Sequence, residues 1–285
     1  MIKRVGNVAI HLKKDHDFAW LEKIGTVFCV FDQQDSGNIS FGVEKNGEKR
    51  FVKYAGANTI HASVNSNIAI QNLKQSVPLY QELKHPNLVN LLEHFETKQG
   101  YALIFNWFSG ETLHNHWEFP PPDKYEHPGS SFYRFKQLSV KKRLKSFRQI
   151  LEFHVHVEKN DYVAIDFYDG SILYDFSTDR LKICDIDLYR KKPFQNLMGR
   201  MWGSSRFMSP EEFQLNEYID ERTNVFNMGC TAFCLIGSDS NHSFEHWDAG
   251  RELYEIALKA VEKDRDKRYS SVEEFYTEWK KWSKG

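Results

Sequence analysis

The period of apolar and polar positions changes repeatedly along the chain. FCVF (28–31), ISFGVEK (39–45) and EKRFVKY (48–54) alternate at period two and are rich in aromatic and β-branched residues, which predicts strands. Asn46-Gly47 sits between the last two and predicts a two-residue hairpin. From 67 to 83 the pattern predicts a helix that Pro78 kinks or shortens and that His85-Pro86-Asn87 ends. LVNLLEHFE (88–96) and GYALIFNWF (100–108) return to strand. EFPPPDKYEHPGSSFYRF (118–135) predicts an irregular, partly polyproline II segment, read as an ordinary long loop with a lid or docking peptide as alternatives. An amphipathic helix follows over 140–158, then aspartate-rich strands, then mostly helices. Strand-rich residues 1–108 and helix-rich residues 109–285, with an insert at 114–139, predict two lobes of an α+β protein.

A chain of 285 residues can bury one large or two smaller cores. With 38 Lys and Arg against 39 Asp and Glu, it has no basic excess for a nucleic-acid partner. The basic run KKRLKSFR (141–148) is read as the wet face of a helix. Four cysteines without a CxxC pair fit reduced thiols in a cytoplasmic protein. No apolar run approaches the ~20 residues that span a bilayer, and GCTAFCLIG (229–237) reads as a buried helix segment. The amino terminus lacks the apolar core of a signal peptide, so the expectation is a soluble protein without a membrane partner. His114 with His116, and His154 with His156, are spaced two apart and do not share a helix face, which argues against zinc.

VAIDFYDGSILYDFSTDRLKICDIDLY (163–189) sets aspartates among alternating apolar residues, where a carboxylate is costly unless something binds it. It follows a hairpin ending in FVKY, a helix, HPNLV and two strands, and it precedes GSSRFMSPEE (203–212). That order resembles the protein-kinase superfamily, of the eukaryotic-type serine/threonine kind, over nearly the whole chain. Ser209-Pro210-Glu211 is similar to the A-P-E motif, DERTNVFNMGCTAF (220–233) to the long central helix, and LKAVEKDRDKRYSSVEEF (258–275) to the closing helices, where Arg268 would pair with Glu211.

The resemblance implies a bilobal fold, with a small antiparallel N-lobe sheet carrying one helix and a larger helical C-lobe. It also implies ATP with Mg²⁺ (or Mn²⁺) and a protein substrate. Lys53 would contact the α- and β-phosphates, Asp166 would orient the substrate hydroxyl and accept its proton, and Asp185 would hold the metal. These three groups would converge on one cleft between the lobes. Backbone groups of the connector Asn106-Trp107-Phe108 would meet the adenine, with Phe105 closing the space behind it.

Several family positions are altered. Ala164-Ile165 replace His-Arg ahead of Asp166, and Ser171 replaces the metal-binding asparagine, with Asp169 as a candidate substitute carboxylate. D-F-G reads Asp185-Ile186-Asp187, and Asp187 is either a second metal ligand or a solvated neighbour. The helix glutamate that pairs with the lysine falls on Ser76, and Glu82 comes more than a turn too late. The phosphate-covering loop fits DQQDSGNIS (32–40) with Gly37 better than KIGTVFCV (23–30) with Gly25. Asn224 replaces an aspartate of the central helix, which predicts a more loosely held catalytic loop. With Ile165 in place of arginine, phosphate on Ser204 or Ser205 would have no receiver.

The resulting expectation is a slow ATP-dependent kinase acting on serine or threonine hydroxyls of proteins. The alternative is a pseudokinase that binds nucleotide or a partner without phosphotransfer. A small-molecule kinase of the aminoglycoside type conflicts with GSSRFMSPEE and Arg268.

Overall fold

The structure, a computed structural model, describes residues 1–283, which divide into two units. The first comprises Met1–Lys84 with Val89–Ser109; the second comprises His85–Leu88 with the chain from Gly110 onward.

The first unit opens with a hairpin that the sequence reading did not include, β1 (Ile2–Val5) and β2 (Val8–His11), which turns at Gly6 in a left-handed conformation. After a single-turn helix α1 (Leu21–Ile24) come β3 (Thr26–Phe31), β4 (Asn38–Lys45) and β5 (Glu48–Ala55). Asn46 and Gly47 take φ of 54° and 81°, the two positive values that a tight hairpin turn requires, and they fix the β4–β5 register. α2 (Ser66–Glu82) starts at Asn65, whose side chain accepts from the Asn67 N–H, and it runs on through Pro78. Buried Leu73, Val77 and Tyr80 hold that turn by packing, so the proline does not shorten the helix. β6 (Leu91–Thr97) and β7 (Gly100–Asn106) complete an antiparallel sheet of order β3-β4-β5-β7-β6.

The second unit holds β8 (Glu111–Thr112), α3 (Asp123–Glu126), α4 (Ser131–Lys136), α5 (Val140–Lys159) and β9 (Tyr162–Val163). β10 (Ile172–Asp175), β11 (Arg180–Ile183), β12 (Arg190–Lys191), β13 (Phe194–Gln195) and β14 (Tyr218–Ile219) form short antiparallel pairs. α6 (Glu221–Ile236), α7 (Arg251–Ala260) and α8 (Val272–Trp282) close the unit. Its core includes Phe147 of α5 edge-on to Trp279 of α8, ring centres 4.8 Å apart. α6 is buried from Asn227 to Ile236, as expected of an apolar central helix. No helix among the described residues is long and apolar enough to cross a membrane.

The structure corrects two readings. The 118–135 segment is not an irregular loop: Ser130 caps α4 by accepting from Tyr133 N–H, and Lys124 in α3 is fully buried. The basic run 141–148 is not wholly a wet face, because Arg143 turns inward and donates to the C=O groups of Leu235 and Ile236 and to Asp248.

Candidate active site

Asp166 and Asp185 both adopt left-handed backbone conformations, with φ of 62° and 56°. Such dihedrals cost a non-glycine residue about 1–3 kcal/mol; Asp166 takes its own within a turn, Asp185 outside one. Asp185 is exposed while the next residue, Ile186, is fully buried, so the apolar residue anchors the loop and the carboxylate faces out. The Cys184 N–H donates to the Ser171 C=O at 2.9 Å, which ties the Asp185 loop to the loop of Asp166. The two carboxylates also act on the same groups. The Tyr168 phenol is pushed far up by burial and next by the charges of Asp185 and Asp166, and the buried Tyr189 phenol feels both as well. Gly203 lies against this loop: a Cβ there would come to 3.5 Å from Asp166 Oδ1.

Ser171 is nearly fully buried, and its hydroxyl has no hydrogen-bond partner among the described residues. An orphaned buried oxygen beside a loop that carries an aspartate suits a hard, oxygen-seeking cation. Asp185 and Ser171 both offer oxygen, the donor type that a hard divalent ion takes. Gly170 shows why the loop is shaped this way. A Cβ at 170 would fall 2.4 Å from the Tyr168 ring, so the ring occupies the space a side chain at 170 would need.

In the first unit, Lys53 is buried in β5, paired in register with Ser40 of β4 and Leu103 of β7. Ser76 is fully buried, and its hydroxyl donates to the Leu73 C=O within α2. The β3–β4 turn, residues 32–37, carries Gly37 in a left-handed conformation, whereas Gly25 caps α1 at the opposite end of β3. That turn is tied down: Ser63 donates to the Asp35 C=O through both N–H and hydroxyl, and Asp32 accepts from the His11 N–H. A Cβ on Gly37 would come to 3.1 Å from Ala69 Cβ and 3.3 Å from the Val64 C=O. Phe105 packs edge-on against Tyr80. Asn106 donates its N–H to the Asn90 C=O, and its side-chain oxygen accepts from Asn90. Phe108 follows, half-buried.

Asp169 does not serve as a spare metal ligand. Its carboxylate is fully buried between Lys124 Nζ at 2.6 Å and Arg206 Nη2 at 3.0 Å. Burial drives its pKa up, but His114, Lys124 and Arg206 overcome this and hold it far below the usual range. Asp239 accepts from Lys124 at 3.1 Å, from the Tyr125 hydroxyl at 3.0 Å and from Arg206. Asp169, Cys234 and Asp239 are the one grouping among the described residues with metal-ligating spacing, and the Lys124 ammonium already fills it. Sequence reasoning missed this cluster because its members lie up to 115 positions apart. The one available signal was a lysine inside a proline- and aromatic-rich segment. The His154 pair is not a metal site either: His154 Nδ1 donates to the Ile150 C=O, Nε2 meets the Tyr189 hydroxyl, and burial lowers the ring to about 3.

The family model described as protein kinase domain matches residues 36–283. The chain belongs to the protein kinase domain family. Its antiparallel sheet in the first unit and helices in the second form the bilobal α+β kinase fold. The probable serine/threonine-protein kinase KIN1 homolog of Enterocytozoon bieneusi is 26% identical over 152 residues, 53% of this chain and 23% of that protein. NUAK family SNF1-like kinase 1 of Mus musculus is 22% identical over 227 residues, 78% of this chain and 32% of that protein. Mitogen-activated protein kinase kinase kinase 1 of Homo sapiens is 22% identical over 166 residues, 56% of this chain and 10% of that protein. The chain thus spans a third or less of the length of these relatives.

Within this kinase domain the loop that carries Asp166 is held by buried polar contacts. Glu211 and Arg268 form the expected buried pair, bidentate at 2.7 and 3.0 Å. Burial raises the Glu211 carboxyl, but the Arg268 guanidinium outweighs it and the net displacement is downward. Asn224 corrects an expectation: the loop is not loosely held. Its Oδ1 accepts from the Ala164 N–H at 2.8 Å, its Nδ2 donates to the Tyr162 C=O at 3.1 Å, and Asn227 donates to the Phe167 C=O at 2.8 Å. A neutral amide supplies both an acceptor and a donor without burying a charge. Ile165 packs with Val163, Met201, Met208 and Ile219, so this domain has an apolar cluster where its family places a phosphate-receiving arginine.

Proposed function

We propose that the chain is an ATP-dependent protein kinase that transfers the γ-phosphoryl group to serine or threonine hydroxyls of proteins, at a low rate. The observation behind this reading is the pair of left-handed aspartates, Asp166 and Asp185, on two tied loops with the unsatisfied Ser171 hydroxyl beside them. Phosphoryl transfer is mostly positioning and charge neutralisation. In this reading Asp166 aligns the acceptor hydroxyl and takes its proton as the oxygen attacks phosphorus and the bond to the β-phosphate oxygen breaks. Asp185 and Ser171 would hold Mg²⁺ or Mn²⁺, which supplies neutralisation of phosphate charge when bound. Lys53 would hold the α- and β-phosphates, and the Gly37 turn would cover them. The Asn106 N–H is already committed, so adenine recognition falls to the Asn106 C=O and the backbone of Phe108.

The second reading is a pseudokinase. It is favoured by the buried, self-satisfied Ser76 in place of a glutamate and by the β3–β4 turn tied to residues 63–69. Labelled ATP with Mg²⁺ or Mn²⁺ separates the two. Transfer to the chain itself or to a generic protein, abolished in Asp166→Asn while nucleotide binding survives, supports the enzyme. Nucleotide binding without transfer supports the pseudokinase.

A further inference from the structure

We infer that Arg206, Asp169, Lys124 and Asp239 form a lock that holds the segment before Ser209-Pro210-Glu211 on the catalytic loop, in place of a phosphate. Four stretches distant in sequence meet there: the insert supplies Lys124, the Asp166 loop supplies Asp169, the segment supplies Arg206, and the turn after α6 supplies Asp239. The carboxylates of Asp169 and Asp239 and the ammonium of Lys124 are at most 4% exposed. His114 Nδ1 closes one side, 3.2 Å from Arg206 Nη2.

Buried charges are costly to desolvate, and that cost is recovered only with their partners in place, so losing one partner weakens the whole cluster. Two positive and two negative groups balance, and removing one leaves an unpaired charge in the interior. Arg206 lies three residues after Gly203, which rests against Asp166, so fixing Arg206 fixes the segment beside the catalytic carboxylate. The polarity is the reverse of a phosphate-held segment: here the segment brings the cation and the catalytic loop brings the anion. Ile165, enclosed by Met201 and Met208, takes no part. Lys124 extends the lock to the insert, giving residues 114–139 a role in positioning the segment.

The catalytic consequence rests on the kinase reading above, but the lock itself can be measured without any activity. Hydrogen–deuterium exchange of the full chain without nucleotide should show protection over 201–208, where the Met201 N–H donates to the Glu212 C=O and the Phe207 N–H to the Ser204 C=O. Arg206→Gln should accelerate exchange there about tenfold or more while α5 and α6 keep wild-type rates. Arg206→Lys, which keeps the charge but loses the fork, should fall between them. Lys124→Met should do the same from the insert side; should it fail to fold, Arg206→Gln decides, because the Arg206 side chain is 24% exposed and can be cut back with less disruption. With a transfer assay, Arg206→Gln should lower kcat and leave KM for ATP unchanged. Unchanged exchange over 201–208 in folded Arg206→Gln overturns the lock. A wild-type chain that transfers nothing, yet shows the exchange response, keeps the lock and refutes only the enzyme reading.

Discussion

Restoring the family's aspartate at position 224 should harm this protein. Asn224 is fully buried and works in two directions, accepting from the Ala164 N–H and donating to the Tyr162 C=O. Asn224→Asp keeps the first contact and sets an oxygen against the Tyr162 C=O in the second. Losing a buried donor costs about 1–3 kcal/mol, and an ionised carboxylate without a cation adds to this. The buried Glu158 carboxyl, raised to about 7 by burial and receiving a hydrogen bond from Asn224, would also lose that support. A total of about 4 kcal/mol corresponds to a fall in Tm of roughly 8–16 °C, at 2–4 °C per kcal/mol.

The pH dependence has a definite sign. In the folded state the new carboxyl has a raised pKa, so the penalty is complete above that value. It fades as pH falls toward the ordinary carboxylate range, where the protonated acid can donate again. Thermal and urea unfolding of wild type and Asn224→Asp at pH 8 and pH 5 measures both effects. A variant as stable as wild type at pH 8 would refute the argument that the amide donor holds the loop.

Glu211→Gln should destabilise the second unit by about 3–5 kcal/mol, because it leaves Arg268 buried without its carboxylate; urea unfolding checks this. Burial lifts Glu212 to about 7 against the pull of the Ser209 N–H and hydroxyl, so ionising it costs the folded state stability as pH rises from the ordinary range through 7. Glu212→Gln should therefore gain about 3 kcal/mol on wild type between pH 4.5 and pH 8, and parallel stability–pH curves would contradict that. Replacing Ser204 and Ser205 together by alanine should leave any transfer activity unchanged, since Ile165 sits in an apolar cluster; a radiometric assay with complete loss would refute it.

Elements governed by local pattern were legible in the sequence. The Asn46-Gly47 hairpin, α2, α5 and the Glu211–Arg268 pair follow from turn chemistry, periodicity and motif spacing. The β1–β2 hairpin announces itself weakly: Val5-Gly6-Asn7-Val8 carries turn residues between alternating apolar positions, but each strand is only four residues long. At Asn224 a motif comparison registers the lost charge and not the gained donor. The Lys124 cluster lay beyond reach for a different reason: no local rule brings positions 124, 169, 206 and 239 together, and only the assembled fold makes a buried lysine affordable.

The placement of the Tyr168 ring over Gly170 couples what the two positions can hold. The present ring position and any side chain at 170 exclude one another, although nothing in the backbone there demands glycine. Single substitutions can rebuild position 170 only after residue 168 has shrunk or its ring has swung aside. What position 170 tolerates is therefore set by how freely residue 168 gives way, and a small residue at 168 should widen the choice.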